Sequence, residues 1–121
     1  MPIKKILVVD DSPTERFALI EFLSKQGFSV VTAENGEDGV VKSKAELPDL
    51  ILMDVVMPGI NGYQATRTIS RDEATRNIPI IMTTSKDAET DKIWGMRQGA
   101  FDYMTKPLDL DELLKKIQAI G

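Results

Sequence analysis

Five short apolar runs are spaced along this chain, at 6–9, 29–33, 50–53, 78–83 and 101–104, and a segment with helical punctuation follows each. That alternation predicts βαβ units, and with them a parallel sheet with right-handed crossovers and helices on both faces. Runs 6–9 and 50–53 are apolar at every position. A strand covered on both faces requires this, whereas a half-exposed antiparallel strand would alternate, so these two are predicted to be central. The run 29–33 places Ser29 and Thr32 among valines and reads as an edge strand.

The punctuation has physical content. Ser12 precedes Pro13, whose missing N–H costs nothing in a first turn, and Glu15 completes a Ser-x-x-Glu capping box. The helix predicted there runs to Gln26 and stops at Gly27, where a left-handed turn is cheap. The last segment opens on Asp109 and sets Leu110, Leu113, Leu114, Ile117 and Ile120 on one stripe, an amphipathic helix. Shorter stripes predict helices over 36–47, 63–71 and 87–98. Turns are expected at Asn35-Gly36, Pro58-Gly59 and Asn61-Gly62.

A chain of 121 residues with 42% hydrophobic content matches one domain with an ordinary core. With no Cys and no His, disulfides, Cys/His zinc sites, thiol nucleophiles and imidazole acid–base chemistry are excluded. Any chemistry belongs to carboxylate, hydroxyl or amine. The net charge of −4, with cations interleaved among acids, argues against a nucleic-acid partner. The first apolar run is too short for a signal peptide or membrane span, so no membrane association and a cytoplasmic location are expected.

In an open parallel sheet, ligands bind beyond the carboxyl ends of the strands, where strand order switches. The residues predicted there are Asp10 and Asp11, Asp54, Thr84 and Ser85, and Lys106. Taken singly, Asp10-Asp11-Ser12 reads as well as strand-end and helix-cap chemistry, and a lone Asp or Lys-Pro after a strand reads as a loop residue. Coincidence at four strand ends points to a site. Clustered carboxylates repel unless a cation neutralises them, and an all-oxygen set suits Mg²⁺, or Mn²⁺ in its place. Such a site invites phosphate. A carboxylate can attack phosphorus and form an aspartyl phosphate, while Lys106 and Thr84 offer donors to the phosphoryl oxygens.

The segments Val8-Val9-Asp10-Asp11-Ser12, Met53-Asp54-Val55-Val56-Met57-Pro58-Gly59, Thr83-Thr84-Ser85, Gly99-Ala100 and Tyr103-Met104-Thr105-Lys106-Pro107 resemble the receiver domains of CheY-like response regulators over essentially the whole chain. The resemblance implies a (βα)₅ flavodoxin-like fold with strand order 2-1-3-4-5. It implies Asp54 as phosphoacceptor, Asp11 as a direct Mg²⁺ ligand, Asp10 as a ligand through water, and the backbone carbonyl of Val56 as a further ligand. Thr84 and Lys106 would contact the phosphoryl group, and the Lys106-Pro107 bond is commonly cis in the family. Thr84 and Tyr103 would form the switch, and the output face would be the fourth helix, fifth strand and fifth helix, with Trp94, Arg97 and Tyr103 as partner contacts. The phosphodonor implied is a CheA-like sensor histidine kinase, and the recipient of the signal a downstream protein.

Closer motifs, Asp11-Ser12-Pro13-Thr14-Glu15, Asn61-Gly62-Tyr63-Gln64-Ala65-Thr66-Arg67 and Glu89-Thr90-Asp91-Lys92-Ile93-Trp94-Gly95, are similar to receivers of type IV pilus chemosensory systems, especially the PilH type that governs twitching motility. Val56 and Lys86 stand where the family tunes attack of water on the phosphate, and an apolar Val56 supplies no group to orient that water. Because the chain ends at Gly121, the expectation is a stand-alone, monomeric receiver over 1–121 with no output domain. It would signal by binding and would not itself be an enzyme. The alternatives are a phosphate sink or relay intermediate, an aspartyl-phosphate-forming metal-dependent phosphatase resembling the haloacid dehalogenases, and a flavodoxin-like cofactor binder. The phosphatases carry Asp-x-Asp after the first strand and a cap domain, and the cofactor binder needs a Gly-rich phosphate loop that this chain lacks.

Overall fold

The computed structural model describes residues 2–121. Strands and helices alternate as β1 (Lys5–Val9), α1 (Pro13–Lys25), β2 (Ser29–Ala33), α2 (Gly36–Glu46), β3 (Leu50–Met53), α3 (Gly62–Arg71), β4 (Ile80–Thr84), α4 (Glu89–Arg97), β5 (Asp102–Thr105) and α5 (Leu110–Ile120). The five strands pair in parallel in the order β2-β1-β3-β4-β5. The two all-apolar runs are interior strands and β2 is an edge, as their composition requires. The fourth strand starts at Ile80, two residues later than the apolar run, because Pro79 has no N–H to give a ladder; its carbonyl still accepts from Ile51 N–H at 3.0 Å.

Strand periodicity divides the core. Ile6, Val8, Leu50 and Leu52 face Leu19 and Leu23 of α1 and Leu113 and Ile117 of α5. Leu7, Val9, Ile51 and Met53 face the other way, against Ala65 and Ile69 of α3 and the half-buried Val40 of α2. Both faces are closed, so every residue of β3 and β4 is buried. The stripe predicted on α5 is the stripe it buries. Gly27 ends α1 at φ +96°, as predicted, whereas α2 stops on Leu47 in the left-handed region at φ 45°. A leucine there is strained relative to glycine.

This topology sets the location of the site. From β1 the chain crosses to β2 on one side, then returns to place β3 on the other, so strand order switches between β1 and β3. Val9 and Met53 are register partners across that gap, and the next residue on each strand is an aspartate.

Candidate functional site

Asp10 and Asp54 each extend the sheet by one bond beyond their strands, Asp10 N–H to Ala33 O at 3.1 Å and Asp54 N–H to Val9 O at 2.9 Å. The backbone ladder therefore holds two carboxylates side by side at the carboxyl end of the sheet. Asp10 is 1% and Asp54 6% exposed, whereas Asp11 faces solvent. Thr84 closes β4 as its last residue, fully buried, and Lys106 follows β5 with its N–H bonded to Thr84 O at 2.7 Å. Four strand ends thus converge, as the sequence predicted. The Lys106-Pro107 peptide is cis.

One carboxylate oxygen from each of Asp10, Asp11 and Asp54 lies within 4.8 Å of the others. Lys106 Nζ is 2.9 Å from Asp10 Oδ2 and 3.6 Å from Asp54 Oδ1, and it also pairs with Glu15. One ammonium among these carboxylates leaves the cluster net negative. An all-oxygen, anionic set of this size fits a hard divalent cation such as Mg²⁺. Burial is the largest influence on Asp54 and pushes its carboxyl up from 3.8 to about 6; Lys106 opposes that shift, and the charges of Asp10 and Asp11 add to it. Burial lowers Lys106, but Glu15, Asp10 and Asp54 together raise it above its ordinary value.

The sign of the Asp54 shift makes a prediction. A carboxyl whose folded-state value is raised stabilises the fold below its unfolded value and loses that contribution as pH rises through about 6. In metal-free buffer, wild type should lose stability relative to Asp54→Asn between about pH 4 and 7. Urea unfolding across that range checks this, and parallel curves for the two proteins would overturn it.

Tyr103, expected to act with Thr84 as a switch, is one of two tyrosines that tie to the β4–α4 connection and α4. The Tyr103 ring is buried, and its hydroxyl donates to Lys86 O at 2.8 Å. Tyr63 of α3 donates to Asp91 O of α4 at 3.2 Å. Gly95 makes room for the ring, since a Cβ there would sit 3.1 Å from Tyr103 Cδ2. Tyr103 was expected to contribute to a partner face as well, but in this conformation its ring points inward. Trp94, 49% exposed, and the exposed Arg97 remain on that face, with Ile93 beside them. Val56, two residues after Asp54, and Lys86, two after Thr84, are also exposed.

Two more residues escaped sequence reasoning. Arg16 donates from Nη1 to the Asp10 carbonyl at 2.7 Å, bracing the end of β1. Gly62, read only as a turn, packs its α-carbon against the backbone of Asp54 and Val55, and its N–H donates to Val55 O at 2.9 Å. The local signal for Gly62 was the Asn61-Gly62 pair; Arg16 had none.

The response regulator receiver domain model matches residues 6–118. This chain belongs to the response regulator receiver family. The receiver is 57% identical over 116 residues to PilH of Pseudomonas aeruginosa, covering 96% of each chain. Its fold matches chemotaxis protein CheY4 of Vibrio cholerae with a TM-score of 0.91 at 29% identity, over 98% of this chain and 99% of that one. It also matches the receiver domain of the sensor histidine kinase PA1611 from Pseudomonas aeruginosa, solved with magnesium coordinated in its active-site cleft, at a TM-score of 0.89 and 32% identity. That match covers 96% of this chain and 95% of the other. Other curated relatives, transcriptional regulators among them, are matched over about a quarter to a half of their length. With the family shown, the phosphatase and flavodoxin-like readings fall away. Among the described residues no helix is long and apolar enough to cross a membrane.

Proposed function

We propose that this receiver accepts one phosphoryl group on Asp54 from a phosphohistidine of a CheA-like sensor kinase. In the transfer, the donor's N–P bond breaks as an Asp54 Oδ–P bond forms, and the released imidazole takes a proton from water. Of the two buried carboxylates Asp54 is the less committed, which favours it over Asp10 as the nucleophile. Asp10 accepts from Ser12 N–H at 2.9 Å and from Lys106 at 2.9 Å, while Asp54 accepts one bond, from Val55 N–H at 2.8 Å. Asp10, Asp11, Asp54 and the Val56 carbonyl would hold Mg²⁺, which when bound supplies charge neutralisation at the phosphoryl oxygens. Lys106 provides an ammonium to one of those oxygens and Thr84 a hydroxyl to another.

The observation that carries this reading is the convergence of Asp10, Asp11, Asp54 and Lys106 at the switch point. Phosphorylation adds roughly −1.5 to −2 charges at Asp54 and draws the Thr84 hydroxyl toward it. Thr84 Oγ1 now accepts from Lys86 N–H at 3.2 Å, and Tyr103 holds the Lys86 carbonyl. Moving Thr84 therefore disturbs the β4–α4 connection and the α4 face bearing Trp94 and Arg97, where a protein partner would bind. The 57% identity to PilH supports a role in type IV pilus or chemotaxis-like signalling. Mutual coverage of 96% with PilH supports a single-receiver regulator that acts in the cytoplasm by binding a protein partner rather than by catalysis.

The test is incubation with acetyl phosphate. One phosphoryl group per chain should be incorporated with Mg²⁺, as a hydroxylamine-sensitive acyl phosphate, and labelling should fall to background in EDTA. Metal-independent labelling, or a hydroxylamine-resistant product, would overturn the reading.

A further inference from the structure

Glu15 does not do what its sequence context predicts. Ser12 Oγ accepts from Glu15 N–H at 3.3 Å, as an N-cap should. The reciprocal bond of a capping box, from Ser12 N–H to the Glu15 carboxylate, is absent because that N–H donates to Asp10 Oδ1 at 2.9 Å. At the start of α3 the motif is complete, with Gln64 N–H to Asn61 Oδ1 at 3.0 Å and Asn61 N–H to Gln64 Oε1 at 2.9 Å. The difference is upstream. At α1 a carboxylate two residues before the cap takes the N–H through a short local turn, and the Glu15 carboxylate turns to Lys106 instead.

An ammonium has three N–H donors. Lys106 directs donors to Asp10 Oδ2 at 2.9 Å and to Glu15 Oε2, while Asp54 Oδ1 stays at 3.6 Å, beyond a normal hydrogen bond. The Asp10 bond is fixed by burial, with its side chain 1% exposed. Glu15 is 42% exposed, so water can replace it cheaply, and its hold on Lys106 is the one that can be exchanged.

We propose that Glu15 is a positioning residue for phosphoryl acceptance: by pairing with Lys106 it draws the ammonium away from Asp54, and a phosphoryl group arriving at Asp54 competes with it for that cation. The proposal rests on Asp54 being the phosphoacceptor. A phosphoryl group brings three acceptor oxygens and about two negative charges, so it displaces a single half-exposed carboxylate. Glu15 thereby slows acceptance.

Initial rates of labelling by acetyl phosphate with Mg²⁺, measured on the full chain, test this. Glu15→Gln should raise the rate about three- to fivefold, the scale set by a half-exposed ion pair. Glu15→Asp keeps the charge but shortens the reach by one methylene, and its rate should follow the Gln variant. A merely structural role would lower Tm without raising the rate. An unchanged or slower Glu15→Gln protein overturns the proposal and leaves Asp54 untouched. If Glu15→Asp matches wild type, the charge acts by repelling the donor and the pairing is wrong. Absence of labelling in all three proteins overturns the Asp54 assignment and this proposal with it.

Discussion

Asp54→Asn is expected to reduce phosphoryl incorporation by about two orders of magnitude or more, to background, because an amide oxygen is too weak a nucleophile to attack phosphorus. The substitution is nearly isosteric. An Asn oxygen can still accept the 2.8 Å bond from Val55 N–H, so the variant should fold. Removing a buried carboxylate that ionises only at about pH 6 should also spare the fold a desolvation cost near neutral pH. Loss of labelling would then report on chemistry and not on unfolding, and unchanged circular dichroism checks that. Labelling that persists in Asp54→Asn would move the acceptor to Asp10 or Asp11 and break the division of roles proposed for the cluster.

Gly62→Ala is expected to destabilise the protein by about 3 kcal/mol or more, read as a drop in urea midpoint at constant slope. A Cβ at Gly62 would overlap the carbonyl oxygen of Asp54 and sit 2.8 Å from Val55 Cα. These are backbone atoms on the segment that leaves β3, so no rotamer change can relieve the clash. The gain in helix propensity from Gly to Ala, at most about 1 kcal/mol, is too small to offset it. Relaxation would have to displace Asp54 or the start of α3, so labelling should fall along with stability. A loss below about 0.5 kcal/mol would mean that the Asp54–Val55 backbone yields more easily than packed structure normally does.

Much of this molecule is local in origin and was therefore legible. The all-apolar runs 6–9 and 50–53 specified strands covered on both faces, the stripe on α5 specified its buried side, and Gly27 specified where α1 stops. Residues at strand ends could be named before any fold was known, because a parallel sheet collects ligands at those ends and the chain places an aspartate, threonine or lysine at four of the five. Strand order came from resemblance, since hydrophobic periodicity does not say which strand lies beside which.

What remained hidden depends on contacts between distant segments. The capping pattern at Ser12 and the one at Asn61 look alike as sequence, yet only Asn61 closes its box, because Asp10 reaches the Ser12 N–H and Lys106, far along the chain, is brought beside Glu15. Which way the Tyr103 ring points depended on Gly95 leaving space over β5 and on a carbonyl at Lys86 within reach of the hydroxyl, and the exposure of Trp94 likewise followed from how α4 seats on the sheet. The elements, their covered faces and the residue types at the strand ends follow from periodicity and backbone preference over a few neighbouring residues. That Lys106 gives donors to Asp10 and Glu15 and stands off from Asp54 depends on tertiary contacts, because an ion pair forms with whichever charge the fold brings within about 4 Å, however far away in sequence it lies.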